Sequence, residues 1–352
     1  MKDRRPWVQL ARVLRASGFP TRTIAYSDGS RLVLLARGGR VVGLFGPRGK
    51  NFFWTHPDIR LAKAARRHFQ KASWPNPGGG RVWLAPELDL FFPDYPDLRR
   101  YCHPPAVDPG RYRFRKIAGS WGMVTLGRVR IGRSGRELRF RLRQSFRQAE
   151  NPVGSIPGVT YAGFVQKSSL EILDSARRVR DRLGLWHLVQ VPHAGELRLP
   201  VRGCARPAIL FCVPRRLSPE TFRLVRGQLR HRSVPRREYK IGLLPSQVRG
   251  RMAYLFSAGP TWNLVVREFP LDPRKLYVDV PWQQPRSRGA AVQFCGVDSP
   301  ILGKFAEMEH HGPAVGRGTG RRKTGEISTT WAYRGSRQAV HRIVRQLLEA
   351  QS

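Results

Sequence analysis

The chain has 352 residues, 41% of them hydrophobic, which is enough to build a core and excludes wholesale disorder. Sixty-four Lys and Arg against 24 Asp and Glu give a formal charge of +40, a field that attracts anionic polymers whatever the fold. No stretch approaches the ~18 uninterrupted apolar residues that span a bilayer, so no membrane partner is expected.

Trp7, Leu10, Ala11 and Leu14 recur at helical spacing and predict an N-terminal helix over about residues 4–17, stopped by Gly18 and Pro20. From Arg31, RLVLLARGGRVVGLFG reads as two apolar strands around a turn at Gly38-Gly39. Ile59, Ala62, Ala65 and Phe69 suggest a short basic helix between Pro57 and Lys71, closed by the WPNPGGG loop. Alternation dominates from Arg111 to Phe146, with Arg139, Arg141 and Arg143 set outward and Phe140 and Leu142 inward. Residues 167–183 read as a helix, or as a strand running into one. Short strands broken by prolines and glycines return from Leu185 to Phe294. The clearest helix runs over about 336–350, with Ser336 as cap and Val340, Ile343, Val344 and Leu347 on one face. The 35 glycines and 28 prolines are scattered, and no repeat or linker divides the chain. One large β domain spanning 1–352, with a few helices, is the economical reading.

Arginine supplies nearly all the positive charge and is spread from Arg4 to Arg345, a skew that codon bias explains as well as selection does. The basic surface makes non-specific polyanion binding possible, and a nucleic-acid or polyanion-binding role is kept as a further alternative behind the two readings given below. Cys102, Cys204, Cys212 and Cys295 have no CxxC spacing, so buried free thiols are expected rather than a zinc site or redox pair. The N-terminus lacks the apolar run of a signal peptide, which makes a cytoplasmic protein the expectation.

Two motifs carry chemistry. In EMEHHGP, Glu307 to Pro313, an extended backbone places Glu307 and Glu309 on one face, where mutual repulsion raises a carboxyl pKa as acid–base chemistry requires. His310 and His311 face opposite sides and cannot share an ion, so no metal is expected. In GGGRVWLAPELDLFFPD, Gly78 to Asp94, Arg81 lies between a triple glycine and Trp83, and Glu87 follows Pro86. Glu87 is placed to pair with Arg81, either as a structural bridge or as part of a pocket wall. Lys240, on a strand between Tyr239 and Ile241, must find a partner if it faces inward.

Together with GGRVVGLFG and NFFW (Gly38–Trp54), LWHLVQVPHAGELRLP (Leu185–Pro200), EYKIGLL (Glu238–Leu244), VREFPLDPRKLYVDVPW (Val266–Trp282) and FAEMEHHGPAV with TTWAYRG (Phe305–Gly335), these segments resemble, in order, the aldose 1-epimerase or galactose-mutarotase-like proteins. The resemblance implies a mainly β, antiparallel β-supersandwich with a few peripheral helices and a C-terminal helix. It also implies a sugar or sugar derivative bound on one concave sheet, with no cofactor. Mutarotation needs a base at the anomeric hydroxyl and an acid at the ring oxygen. The family motif places the base at Glu309, its spacing to Pro313 off by about one residue, with Glu307 in reserve. It places the acid at His187 and a second histidine at His103. Arg81, Trp83, Glu87 and Lys240 would line the sugar. Trp186-His187 stands where the family has asparagine–histidine, and Gly79-Gly80-Arg81 where it has histidine–glycine–glycine. Two readings stay open: an aldose 1-epimerase-like isomerase, or a carbohydrate-binding module without catalysis. Arg81, Glu87, His187, Lys240 and Glu309 are expected to converge on one cavity.

Overall fold

The computed structural model describes residues 5–349, apart from 71–73, 96, 98, 176–178, 214–216, 235 and 281–287. The chain folds into two ten-stranded antiparallel sheets. The centre of the first runs Gly80–Ala85, Arg182–Pro192, Gly303–His311, Val292–Ser299 and Glu238–Leu243, so motifs far apart in sequence become neighbours. The second has Arg251–Ala258, Thr261–Glu268, Lys323–Gly335 and Thr160–Ile172 side by side at its centre.

Between the sheets, Val82, Leu84, Val189, Ile241, Phe294 and Met308 from the first meet Phe140, Leu142, Phe164, Leu170 and Tyr254 from the second in one apolar core. The outer faces are covered in part by helices. Helix Arg337–Glu349 lays Val340, Ile343, Val344 and Leu347 on Leu264, Val266, Trp331 and Tyr333, with Ser336 Oγ accepting from Ala339 N at 3.2 Å as its cap. Helices Pro6–Ala16 and Ala62–Phe69 bury Val33, Leu35 and Val42 at the other sheet's edge. The mainly antiparallel β fold with peripheral and C-terminal helices thus matches the expected class. Among the described residues no helix is long and apolar enough to cross a membrane.

Three local expectations change. The helix expected in 167–183 is absent among the described residues: its first half lies in strand Thr160–Ile172, where buried Ser168, Leu170 and Ile172 alternate with Lys167, Ser169 and Glu171. Strand alternation outweighs helix propensity there because one face meets the core. The helix after Pro57 is split into a 3₁₀ turn, Pro57–Arg60, and helix Ala62–Phe69. The four cysteines form no disulfide, but the expected burial is not met: Cys204 is exposed and the other three are only half-buried.

Gly79 joins the early edge of the first sheet to its centre. Its N–H donates to Trp54 O at 2.9 Å and its carbonyl accepts from Gln190 N at 3.1 Å, with φ at +78°. A Cβ there would meet Val41 O at 2.3 Å, against backbone that cannot yield. Gly79→Ala should therefore lower unfolding stability by about 2–4 kcal/mol. Urea denaturation checks this, and a loss below about 0.5 kcal/mol would mean the strands do not meet there as described.

Candidate functional site

Directly paired residues in an antiparallel sheet project to the same face. Glu309 opposes Leu188, which opposes Arg81; His311 opposes Trp186, which opposes Trp83; Glu307 opposes Cys295, which opposes Lys240. Arg81, Trp83, Trp186, Lys240, Glu307 and Glu309 therefore share the face of the first sheet turned away from the second. All six are nonetheless buried, because Trp74, helix Glu87–Phe91 and the loop through Tyr101, His103 and Asp108 fold across them.

Buried charge requires a partner, and each group here has one. Arg81 Nη1 donates to Glu307 Oε1 at 2.6 Å, with the guanidinium 3.8 Å from the Trp83 ring centre. Lys240 Nζ donates to Glu87 Oε2 at 2.7 Å and lies 3.2 Å from Glu309 Oε2, with the Trp186 ring 4.4 Å away. Trp186 Nε1 donates to the same Glu309 oxygen at 2.8 Å. Arg40 Nη2 donates to Asp108 Oδ2 at 2.7 Å, and Trp83 Nε1 donates to that oxygen at 3.2 Å. Asp279 receives the Glu87 N–H at 2.9 Å and a short hydrogen bond from Gln293 Nε2.

Protonation follows from this crowding. Burial raises the Glu309 carboxyl; Lys240 pulls it back, but Glu307 and Glu87 add to the rise and the net shift is upward. Burial likewise leaves Glu87 raised despite Lys240. Burial opposes the charge on Lys240, yet Glu309, Glu87 and Asp279 overcome it and hold the ammonium above its ordinary range. The imidazoles nearby stay neutral, since burial lowers His103 to about 3 and His311 to about 4. The assembled group combines a carboxyl of raised pKa with cationic donors fixed against indole rings, the residue types that acid–base chemistry and polar recognition use.

The sequence-derived residues divide. Arg81, Trp83, Glu87, Lys240, Glu307 and Glu309 come together, and His103 reaches the rim, stacked on Trp74 at 4.1 Å between ring centres. The pairing expected between Arg81 and Glu87 gives way to two others, Arg81 with Glu307 and Glu87 with Lys240. His187 is not brought to this face. One residue after Trp186, it points between the sheets, where its Nε2 lies 2.9 Å from Glu326 Oε1. His310 Nε2 meets the same oxygen at 2.7 Å, and the two rings stack 4.5 Å apart. The expected cavity containing both Glu309 and His187 therefore does not form. Sequence reasoning missed Arg40, Trp74, Tyr101, Asp108 and Asp279. Only Trp74, the first residue of the WPNPGGG loop, and Asp108, beside a proline, carried any local signal.

No family model matches the sequence, and no curated protein matches it significantly. Among solved structures the chain is similar to a galactose mutarotase-like protein from Lactobacillus casei ATCC 334, at 9% identity over 89% of this chain and 100% of that one, TM-score 0.53. It is also similar to a galactose mutarotase-like protein from Clostridium acetobutylicum, at 9% identity over 89% and 98% of the two chains, TM-score 0.46. The first likeness establishes that the fold is galactose mutarotase-like.

Two measurements test the site's electrostatics. Lys240→Met should cost about 3–5 kcal/mol, because it leaves buried carboxylates without their cation. Adding Glu309→Gln should restore part of that loss in a double-mutant cycle, and strict additivity would show that the two groups do not interact.

The second concerns pH. His103, His311 and His310, the last lowered by burial to about 3, bind protons less readily folded than unfolded. Their contribution is complete above the unfolded value near 6.5 and is lost as pH falls below it. Glu87 and Glu309, with raised pKa values, act in the opposite sense above about pH 4.5, but the imidazoles outnumber them. The urea midpoint should fall between pH 6.5 and 4.5; a flat or rising midpoint would contradict this assignment of buried neutral histidines.

Proposed function

We propose that the chain is a carbohydrate-binding protein, acting as one domain over 1–352, whose ligand occupies the outer face of the first sheet. The observation that carries this reading is the gathering of Arg81, Trp83, Trp186, Lys240, Glu307 and Glu309 from four separate strands onto one face of a galactose mutarotase-like fold. Charged donors and acceptors fixed by one another give a sugar directional hydrogen bonds, and the Trp83 and Trp186 rings hold the Arg81 guanidinium and the Lys240 ammonium in place for them. Glu309 is the group with the properties of a proton acceptor at the anomeric hydroxyl.

Binding is favoured over isomerisation by the Glu309–His187 pair. A base and an acid must reach one substrate, whereas these two residues lie on opposite faces of the sheet. His311 shares the face of Glu309, but with its pKa lowered to about 4 it is a neutral imidazole near neutrality, without the acidic imidazolium proton that a general acid supplies.

The test is titration of a panel of aldoses followed by tryptophan fluorescence and calorimetry, with anomer exchange followed by NMR on the same samples. At least one sugar should bind, and Arg81→Met and Glu309→Gln should each weaken it by about tenfold or more. Anomer exchange should run at the buffer rate. Catalysed exchange abolished by both Glu309→Gln and His187→Asn would restore the isomerase scheme, and absence of binding across the panel would remove the carbohydrate reading.

A further inference from the structure

We propose that His56, Asp58 and His68 form a binding site for a divalent transition-metal ion of the zinc class, independent of the carbohydrate reading above. Two imidazoles and a carboxylate are donor types that zinc takes up. The chain gathers them locally. His56 caps the 3₁₀ turn Pro57–Arg60, Asp58 lies inside that turn, and His68 is on helix Ala62–Phe69 just after it. The two imidazole rings stack 4.2 Å apart, and the three residues offer donor atoms within 4.8 Å of one another.

Hydrogen bonding selects the nitrogen that each ring turns to the carboxylate. The Asn76 carbonyl can only accept, so the His68 Nε2 lying 3.2 Å from it carries a proton, and Nδ1 of the neutral ring keeps its lone pair. Metal-ligating histidines show this arrangement, with the second ring nitrogen donating to a backbone carbonyl. The Asp58 N–H can only donate, so His56 Nδ1, which accepts it at 3.2 Å, is also an unprotonated nitrogen. Both Nδ1 atoms lie near one oxygen, Asp58 Oδ2, at 3.6 Å from His56 and 3.3 Å from His68.

These separations suit an ion better than a proton. Charge-assisted N–H···O bonds close to about 2.7–2.9 Å. Donor atoms around a tetrahedral ion bound at about 2.0–2.1 Å stand about 3.3–3.4 Å apart. A second histidine pair in the same molecule gives the contrast. His187 and His310 approach Glu326 Oε1 at 2.9 and 2.7 Å, which are hydrogen-bond lengths, and all three groups are sealed between the sheets. At the first cluster His68 is buried, but the Asp58 side chain is 39% exposed, which gives an ion a way in and leaves its remaining position to water. Binding would exchange the long Asp58 N–H contact with His56 for a metal bond and clamp the turn to the helix. His56 N also donates to Pro77 O at 3.2 Å, and Trp54 O accepts from Gly79 N at 2.9 Å. The ion would therefore steady the segment that leads into Arg81.

The experiment is calorimetric titration of the untagged, chelator-treated full chain with zinc chloride at neutral pH, beside magnesium chloride as control. A single zinc ion should bind with Kd of about 1 μM or tighter, and magnesium should not compete. Asp58→Asn, a change of the same shape at a half-exposed position, should weaken zinc about tenfold or more, and His68→Ala about a hundredfold or more. His193→Ala, outside the cluster, should leave the affinity unchanged. Zinc should also raise the urea midpoint of the unmutated chain and leave that of Asp58→Asn nearly unmoved, a comparison that holds even if His68→Ala fails to fold. Zinc binding that survives Asp58→Asn unweakened, or magnesium binding as tightly as zinc, would overturn the assignment. Absence of zinc binding, with nitrogen NMR showing His68 doubly protonated at neutral pH, would mean that a proton holds the cluster instead, and would overturn it too.

Discussion

Lys240 lies beneath helix Glu87–Phe91 with Glu87 at 2.7 Å and Glu309 at 3.2 Å, and much of the first sheet's organisation serves to keep these three groups together. An ammonium withdrawn from water needs close carboxylates, and the carboxylates in turn need donors. Glu309 obtains the Trp186 N–H, and Glu87 is fixed by the Tyr101 hydroxyl and, through its own N–H, by Asp279. Each link ties a different strand or loop to the centre. The cover over the face is therefore held by polar contacts as much as by the packing of Phe91 on Trp83 and Trp186.

Sequence alone revealed the β class, the terminal helices and the face shared by Glu307 and Glu309, because each depends on a local period. Lys240 was legible for a related reason: a lysine within an apolar strand implies a buried partner. The identity of that partner was not legible, since Glu87 is brought to it by the short helix Glu87–Phe91 folding across the sheet and no local period records such a contact. His187 shows the limit of motif alignment. Its neighbour Trp186 faces the candidate site, and a displacement of one residue in a strand sends the side chain to the other side. Arg40 and Asp279 were hidden because their environment is set by tertiary contacts with Asp108 and Gln293.

The two faces of strand Gly303–His311 carry unrelated assignments. Glu307 and Glu309 belong to the covered site, whereas Met308 sits in the core between the sheets and His310 joins Glu326 there. Substitutions at odd positions between 307 and 311 act first on the candidate site, and those at even positions act first on the contact between the sheets. Selection can thus work on recognition and on cohesion at alternate residues of a single segment. A change of ligand could be explored along the odd positions while the sandwich beneath stays intact, whereas inserting a single residue in this strand would exchange the two sets and disrupt both at once.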